Sequence, residues 1–343
     1  VGLASLYDSN LTNASGNGPV EIESDWIITP SLHASYLLGG SHFQLGVRTQ
    51  VAEPLYQERD DFNATNYSVN AFGGYRSEKV VASFTTGLAS DSGVNRLTSD
   101  FIEQFSLKSG FLASYRFAGK TSLLASWDQR DTESRTGGYG DTSSLTAGLS
   151  GVWQATGRLS IGPGYRYGVR TGNDDQDLMV VGPTLRLDYE LSTKVKLRSS
   201  FGLDRSDSPF SGTSTQSNWS VALDYRASAR WGFRFISIQD TQATFSQGGG
   251  FDQSTSYRLT YWRMIRRARL ELGLSSEDRS PLDIPLNAIG LRDTQYTTLS
   301  AALTLPVFKR QADLTFNVNW RDQSSSDHQY TWDGWQSGVG IKW

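Results

Sequence analysis

The residues best placed for chemistry in this chain are cationic. Arg48, Arg76, Lys108, Arg166, Arg170, Arg186, Arg198, Arg234 and Arg258 all fall on the polar phase of segments in which apolar and polar residues alternate. Arg116, Arg130, Arg158, Lys196, Arg226, Arg269, Arg321 and Lys342 share that phase, against Asp128, Asp188, Glu190, Asp204, Asp224, Glu271, Glu277 and Asp313. Cations therefore lead on this phase by roughly two to one. The whole chain is nevertheless slightly acidic, at −3. The compensating acids gather in or beside the connections, for example Glu53, Glu58, Asp60, Asp61, Asp91, Asp131, Asp174, Asp175, Asp177, Asp207, Asp252, Asp278 and Asp283. A guanidinium offers a planar fork that pairs with carboxylate, phosphate or sulfate at two points. A water-filled wall carrying many of them raises the local concentration of anions and favours their passage. The plainer alternative is a set of braces, and Arg186 with Asp188 and Asp224 with Arg226 are neighbours of that kind.

Other chemistries find less support. His33, His42 and His328 are the only histidines, and only His33 lies on a polar strand phase. A hydrolase would need a base in reach of a nucleophile together with an orienting partner, so His33 reads as a wall residue. Cysteine is absent and no histidine group has metal-ligand spacing, so neither metal nor cofactor is expected. Asn173-Asp174-Asp175-Gln176-Asp177 lacks the glycine turn and distal glutamate of a calcium loop. Gly248-Gly249-Gly250 has no following helix to build a phosphate cradle. Trp262-Arg263-Met264-Ile265-Arg266-Arg267-Ala268-Arg269 reads as a basic rim at a short turn, or more sharply as a docking surface. Nothing points to nucleic acid.

The elements that must carry these residues are strands. Hydrophobic content is 37%, mean hydropathy is −0.42, and aromatics reach 12% with 34 glycines. No run approaches the roughly 20 apolar residues of a spanning helix. Alternation recurs instead in about eighteen segments, at 2–12, 25–37, 42–53, 65–76, 80–90, 102–116, 121–130, 143–154, 158–170, 177–190, 194–205, 217–226, 230–240, 255–265, 268–278, 294–305, 311–321 and 332–343. Leu314, Phe316, Val318 and Trp320, for instance, alternate with Asp313, Thr315, Asn317, Asn319 and Arg321. Tight joints such as Ala118-Gly119-Lys120 alternate with longer polar stretches such as 54–64 and 279–293. Aromatics cluster near segment ends, and the polar phase, rich in Arg, Gly and Ser, would fill a soluble core poorly. The expectation is one all-β domain over residues 1–343. It is a transmembrane antiparallel barrel of about eighteen strands with short periplasmic turns, longer extracellular loops and neither plug nor helix. Its termini both lie on the periplasmic rim, and the chain opens as a mature exported protein would.

The last eight residues put Val339, Ile341 and Trp343 on one face and Gln336, Gly338, Gly340 and Lys342 on the other. Gln336, Gly338, Ile341 and Trp343 together resemble the C-terminal sorting signal of bacterial outer-membrane barrels, which implies the outer membrane and its barrel-assembly machinery. Lipid and lipopolysaccharide are then the surroundings. Leu6-Tyr7-Asp8-Ser9-Asn10-Leu11 resembles the opening strand of the β-barrel porin-2 group, and the eighteen-segment layout resembles that group along the whole chain. This resemblance implies export of an exopolysaccharide across the outer membrane with a periplasmic polysaccharide-export partner; the cationic wall makes an anionic glycan the expected cargo, and closure would fall to short loops folding inward or to that partner. It carries over no binding residue. A diffusion porin for small anions or sugars, and a scaffolding barrel of a larger envelope complex, remain open.

Overall fold

The computed structural model describes residues 1–14, 21–95, 100–172, 177–208, 212–243, 251–283, 293–308, 311–326 and 331–343. They form a single closed antiparallel sheet of eighteen staves. In chain order these are β1 Gly2–Asp8, β2 Asp25–Gly39, β3 Phe43–Ala52, β4 Asn66–Arg76, β5 Val80–Val94, β6 Phe101–Ala118, β7 Thr121–Ser134, β8 Thr142–Gln154 and β9 Leu159–Thr171. The ring continues with β10 Asp177–Ser192, β11 Val195–Ser208, β12 Gly212–Ser228, β13 Trp231–Ala243, β14 Phe251–Ile265, β15 Ala268–Asp283, β16 Thr294–Val307, β17 Ala312–Ser325 and β18 Trp332–Lys342. A two-residue piece, Leu55–Tyr56, prolongs β3 along β2. Each strand pairs with its sequence neighbours, and β1 closes the ring by pairing with both β2 and β18.

Alternation shapes the barrel because a period of two sends successive side chains to opposite faces. Leu32, Tyr36, Leu185, Phe201, Leu203, Trp335 and Val339 stand outside and exposed. Aromatic contacts tie this belt together near its edges: Tyr7 with Trp26 at 5.2 Å, Tyr225 with Trp231 at 5.6 Å, and Trp320 with Trp335 at 6.5 Å. Rings at both edges of an apolar band are what the two lipid–water interfaces favour.

The short joints lie on one rim and are built alike. Ser77, Thr156, Ser192 and Ser228 each turn a hydroxyl back to accept backbone N–H groups two or three residues on. Three of the joints carry an irregularity of register, at Arg116/Ala118, Glu190/Ser192 and Arg226/Ser228. The extra residue supplies the local twist a tight hairpin needs. Between β14 and β15 the two-residue link is Arg266-Arg267, with Arg266 in the left-handed region at φ 57°.

The opposite rim differs from the sequence expectation. Strands run further there: β14 starts at Phe251, β12 at Gly212, and β15 reaches Asp283. Asp91, Asp131, Asp207, Asp252, Asp278 and Asp283 thus lie in strands rather than in loops. On this rim Leu178, Val180 and Phe251 form a buried apolar cluster and Asp252 and Ser254 are buried beside it, so apolar and polar residues no longer divide between an outer and an inner face and the strands continue without the alternation that marks the belt. β1, by contrast, stops at Asp8, and residues 10–14 are buried against the wall. Leu11 packs on Ile27 and Phe62, and a 3-10 turn, Asp60–Phe62, is the only complete helical turn among the described residues. That loop is pinned by Asp25, whose carboxylate accepts the backbone N–H groups of Trp26, Gln57, Glu58 and Arg59. Arg59 grips Asp61 at 2.8 and 2.9 Å and also reaches Glu23, which raises the pKa of the guanidinium and lowers that of Asp61.

The seam has its own fastening. Asp8, 2% exposed, accepts Arg321 at 2.7 Å, Gln336 at 2.8 Å and the Asn10 N–H at 3.1 Å. It thereby ties β1 to β17 and β18 from inside the barrel. Gly338 belongs to the same closure: a Cβ there would stand 2.7 Å from the Ser5 carbonyl oxygen. Asp8→Ala should leave Arg321 without its carboxylate, with only the Asn10 carbonyl at 3.4 Å, and remove the acceptor of Gln336, at a cost of about 3 kcal/mol, read as a lower urea midpoint of the detergent-folded barrel. An unchanged midpoint would mean that backbone pairing alone holds the seam.

Candidate functional site

Ion pairs between distant strands identify the inner face. Arg166 on β9 contacts Asp204 on β11 and lies 3.0 Å from Asp240 on β13. Arg170, 5% exposed, donates from Nε to the Thr241 carbonyl at 3.2 Å and from a terminal nitrogen to the Leu145 carbonyl at 2.8 Å. β9 and β13 are four strands apart, roughly 19 Å along the wall. Such contacts exist only across the interior. The backbones of β8 and β13, five strands apart, themselves come within 8 Å of each other. The wall from β8 to β13 is therefore folded in on itself, with Arg170 as the strut of the narrowing.

Strand register sorts the remaining cations into two sectors. From β10 to β13 cations meet anions. One inward row reads Glu190, Lys196, Asp224, Arg234, and the next sets Asp188 beside Arg198. Lys196 reaches Glu190 at 2.6 Å, Arg186 reaches Asp188 at 2.8 Å, and Asp224 accepts both Arg234 at 2.5 Å and Arg198 at 3.0 Å. Arg186, Arg198 and Arg234 line a cavity of about 440 Å³ with their partners. This sector is a brace.

From β2 to β9 the arrangement is different. One continuous inward row reads Ser35, Arg48, Asn70, Gly87, Lys108, Arg130, Ser144, Arg170. It carries four cations and no acid, and it crosses roughly 30 Å of wall. The row on one side is neutral: Gln50, Ser68, Ala89, Ser106, Thr132, Thr142. On the other, Phe72, Thr85, Gly110, Asp128 and Thr146 include a single carboxylate. Arg48 lies over the Phe72 ring, 4.8 Å from its centroid. Among the described residues neither Lys108 nor Arg130 has an ion-pair partner. Both line a cavity of about 760 Å³ together with Gln104, Asp128, Ser144, Thr146 and the Arg170–Asp240 pair.

The other sequence-selected residues are scattered. Arg76 stands at the short-turn rim beside His42 and Arg116. Arg258 lies in the row of Arg198 and Arg321, separated from each by uncharged residues. Ser31 Oγ is 3.1 Å from His33 Nε2, and among the described residues no carboxylate hydrogen-bonds that ring. His42 bonds the Arg76 carbonyl at 3.1 Å. His328, Asp174, Asp175 and Gly248-Gly249-Gly250 lie outside the described residues. Of the C-terminal residues, Gln336 and Gly338 face the seam, while Trp343 is exposed on the outside and its N–H bonds the Val1 carbonyl at 3.0 Å. Asp8 and Asp240 were missed as inward acids, although each continues the polar phase of its own segment by whole steps of two.

No family model and no curated protein sequence matches the chain. Among solved structures it is similar to OpdL of Pseudomonas aeruginosa, at 16% identity over 100% of this chain and 96% of that one, TM-score 0.45. It is also similar to the FrpB iron transporter of Neisseria meningitidis, at 9% identity over 99% and 81%, TM-score 0.47. The siderophore receptor PirA of Pseudomonas aeruginosa shares 9% identity over 100% and 80%, TM-score 0.42. Likeness at this level says nothing of cargo. The fold of an outer-membrane β-barrel is evident in the hydrogen-bonded ring itself.

The narrowing makes one expectation concrete. Arg170→Ala removes the strut between β9 and β13 and should raise single-channel conductance in a planar bilayer, with Asp240 still held by Arg166. Unchanged conductance would place the limiting width elsewhere.

Proposed function

We propose that this barrel is an outer-membrane pore that passes small hydrophilic solutes with a preference for anions. The observation that carries the reading is the acid-free row that holds Arg48, Lys108, Arg130 and Arg170, the first three of them without an ion-pair partner among the described residues, on a wall lined mostly by hydroxyl, amide and glycine residues. Unpaired cations facing water raise anion occupancy, whereas paired ones contribute rigidity. The folded-in wall at Arg170 favours solutes of sugar or organic-acid size over a chain. Both termini, on the short-turn rim, then face the periplasm, and the apolar belt meets lipid and lipopolysaccharide.

Export of an anionic polysaccharide is the second reading, and the length of the cationic row favours it. Spread across several strands of the wall, the cations meet more than one charge of a polyanion at a time. In that case the Arg170 strut must open, and a periplasmic export partner could hold it so.

Reversal potential in a salt gradient tests the first reading. Wild type should favour anions, and neutralising Arg48, Lys108 and Arg130 together should abolish most of that preference. Removing a braced pair whole, Asp224→Asn with Arg234→Gln, leaves the net charge of the lumen as it was, and should instead lower thermal stability with selectivity nearly unchanged. Cation preference in the wild type would overturn the reading, and secretion of an acidic glycan lost on deletion of the protein would favour the second one. Assembly provides a separate check on location. Trp343→Ser removes an interface aromatic that also completes the terminal motif, so less heat-modifiable barrel should reach the outer membrane; an undiminished amount would leave the terminus without that role.

A further inference from the structure

Lys108 and Arg130 are direct cross-strand partners on β6 and β7, and both side chains point inward. Directly opposed residues of an antiparallel pair stand about 5 Å apart at Cβ, and like charges at that spacing destabilise the sheet. From β10 to β13 the chain meets a cation with an acid, as at Lys196 and Glu190 or Arg234 and Asp224. Here it places Gly87 and Ser144 at the flanking positions of the same row. Two positive charges left side by side, with small residues beside them and open space in front, leave room for an anion between them.

The space in front is shaped. The chamber of about 760 Å³ is within the range of small-ligand sites. Its far wall is the β13 segment drawn in by Arg170, so a ligand there would touch both sides of the narrowing. Asp128 lies one step along the strand from Arg130, with its carboxylate over Gly110, where a Cβ would come within 3.1 Å of it. Gln104, Ser144 and Thr146 supply neutral donors and acceptors around it. Arg170 and Arg279 also line the chamber, but Asp240 and Glu277 already engage them. The free groups are thus two adjacent cations, one carboxylate and a lining of hydroxyls and amides.

We propose that this chamber is a binding site for a hydroxylated carboxylate of sugar-acid size. Lys108 and Arg130 hold the carboxylate, while Asp128 and the neighbouring amides and hydroxyls engage the sugar hydroxyls. This rests on the pore reading and names its solute class. A cation pair alone would accept chloride or phosphate equally well; Asp128 penalises a bare dianion and rewards a ligand that presents hydroxyl donors beside its charge. A weak site at this narrowing also suits passage, since a solute held there briefly must leave to either side.

Glucuronate is the probe, with glucose and inorganic phosphate as comparisons. Calorimetry on the detergent-folded barrel reads binding, and planar-bilayer recording separately reads KCl conductance and its block. Glucuronate should bind and block, glucose should do neither, and phosphate should bind at least tenfold more weakly. Lys108→Gln with Arg130→Gln should weaken glucuronate binding at least tenfold. The same variant should melt no lower than wild type, because a like-charge contact has been removed. That result separates loss of a site from loss of the fold, and Lys108→Arg, which keeps the charge, should retain most of the affinity. Equal binding of glucose and glucuronate, or affinity unchanged in the double variant, would overturn the proposal. Absence of binding in a barrel that conducts KCl would overturn the site and leave the pore; binding without conductance would keep the site and overturn the pore.

Discussion

A backbone in lipid has no water to satisfy its N–H and C=O groups, so a sheet can cross only if its edges meet. The other features of this molecule follow from that closure. β1 is seven residues long yet pairs with two neighbours, and Asp8 at its end is shared among Arg321, Gln336 and Asn10. The seam joins the first strand to the last and is held from within by a buried carboxylate. Closing the ring also fixes which phase of every strand faces inward, because a shift of one residue would turn a whole polar row to lipid.

Closure at eighteen strands leaves more circumference than small side chains can fill. The barrel responds by folding the β8 to β13 wall inward around Arg166, Arg170, Asp204 and Asp240. Buried ion pairs add little net stability over apolar packing, but breaking one is costly, so they are effective at specifying a single arrangement. In this barrel they specify the lumen cross-section. Charges of the same type thus do two jobs a few strands apart. Where an acid sits across the row the cation is a strut, and where glycine and serine sit there it is left available to a ligand.

The opening hexapeptide illustrates how a motif that resembles a family signature can have a local cause. Tyr7 packs on Trp26 in the outer belt, Asp8 fastens the seam, Asn10 bonds the Ala14 and Asp333 backbones, and Leu11 packs on Ile27 and Phe62. All of these contacts belong to closure of the ring and of its loop rim. They account for those residues without reference to any cargo, so the motif informs on architecture.

Alternation with a period of two determined strand number, the inward phase and the rim of short turns directly from the sequence, because lipid outside and water inside impose one polarity on each face. It lost the strands where that difference ends. β14 and β15 continue past the belt through Asp252 and Asp283, where Phe251 and Asp252 are both buried and the division into an apolar and a polar face no longer holds, so the pattern carries no mark of it. The same limit applied to the charges. Phase placed Lys108 and Arg198 alike on the inner wall, but a partner across the sheet depends on register, and a partner across the lumen depends on how the ring folds. That Arg198 faces Asp224 while Lys108 faces Arg130, and that Asp240 reaches Arg166 from four strands away, was decided only by the tertiary structure, since the interacting groups lie 26, 22 and 74 residues apart along the chain.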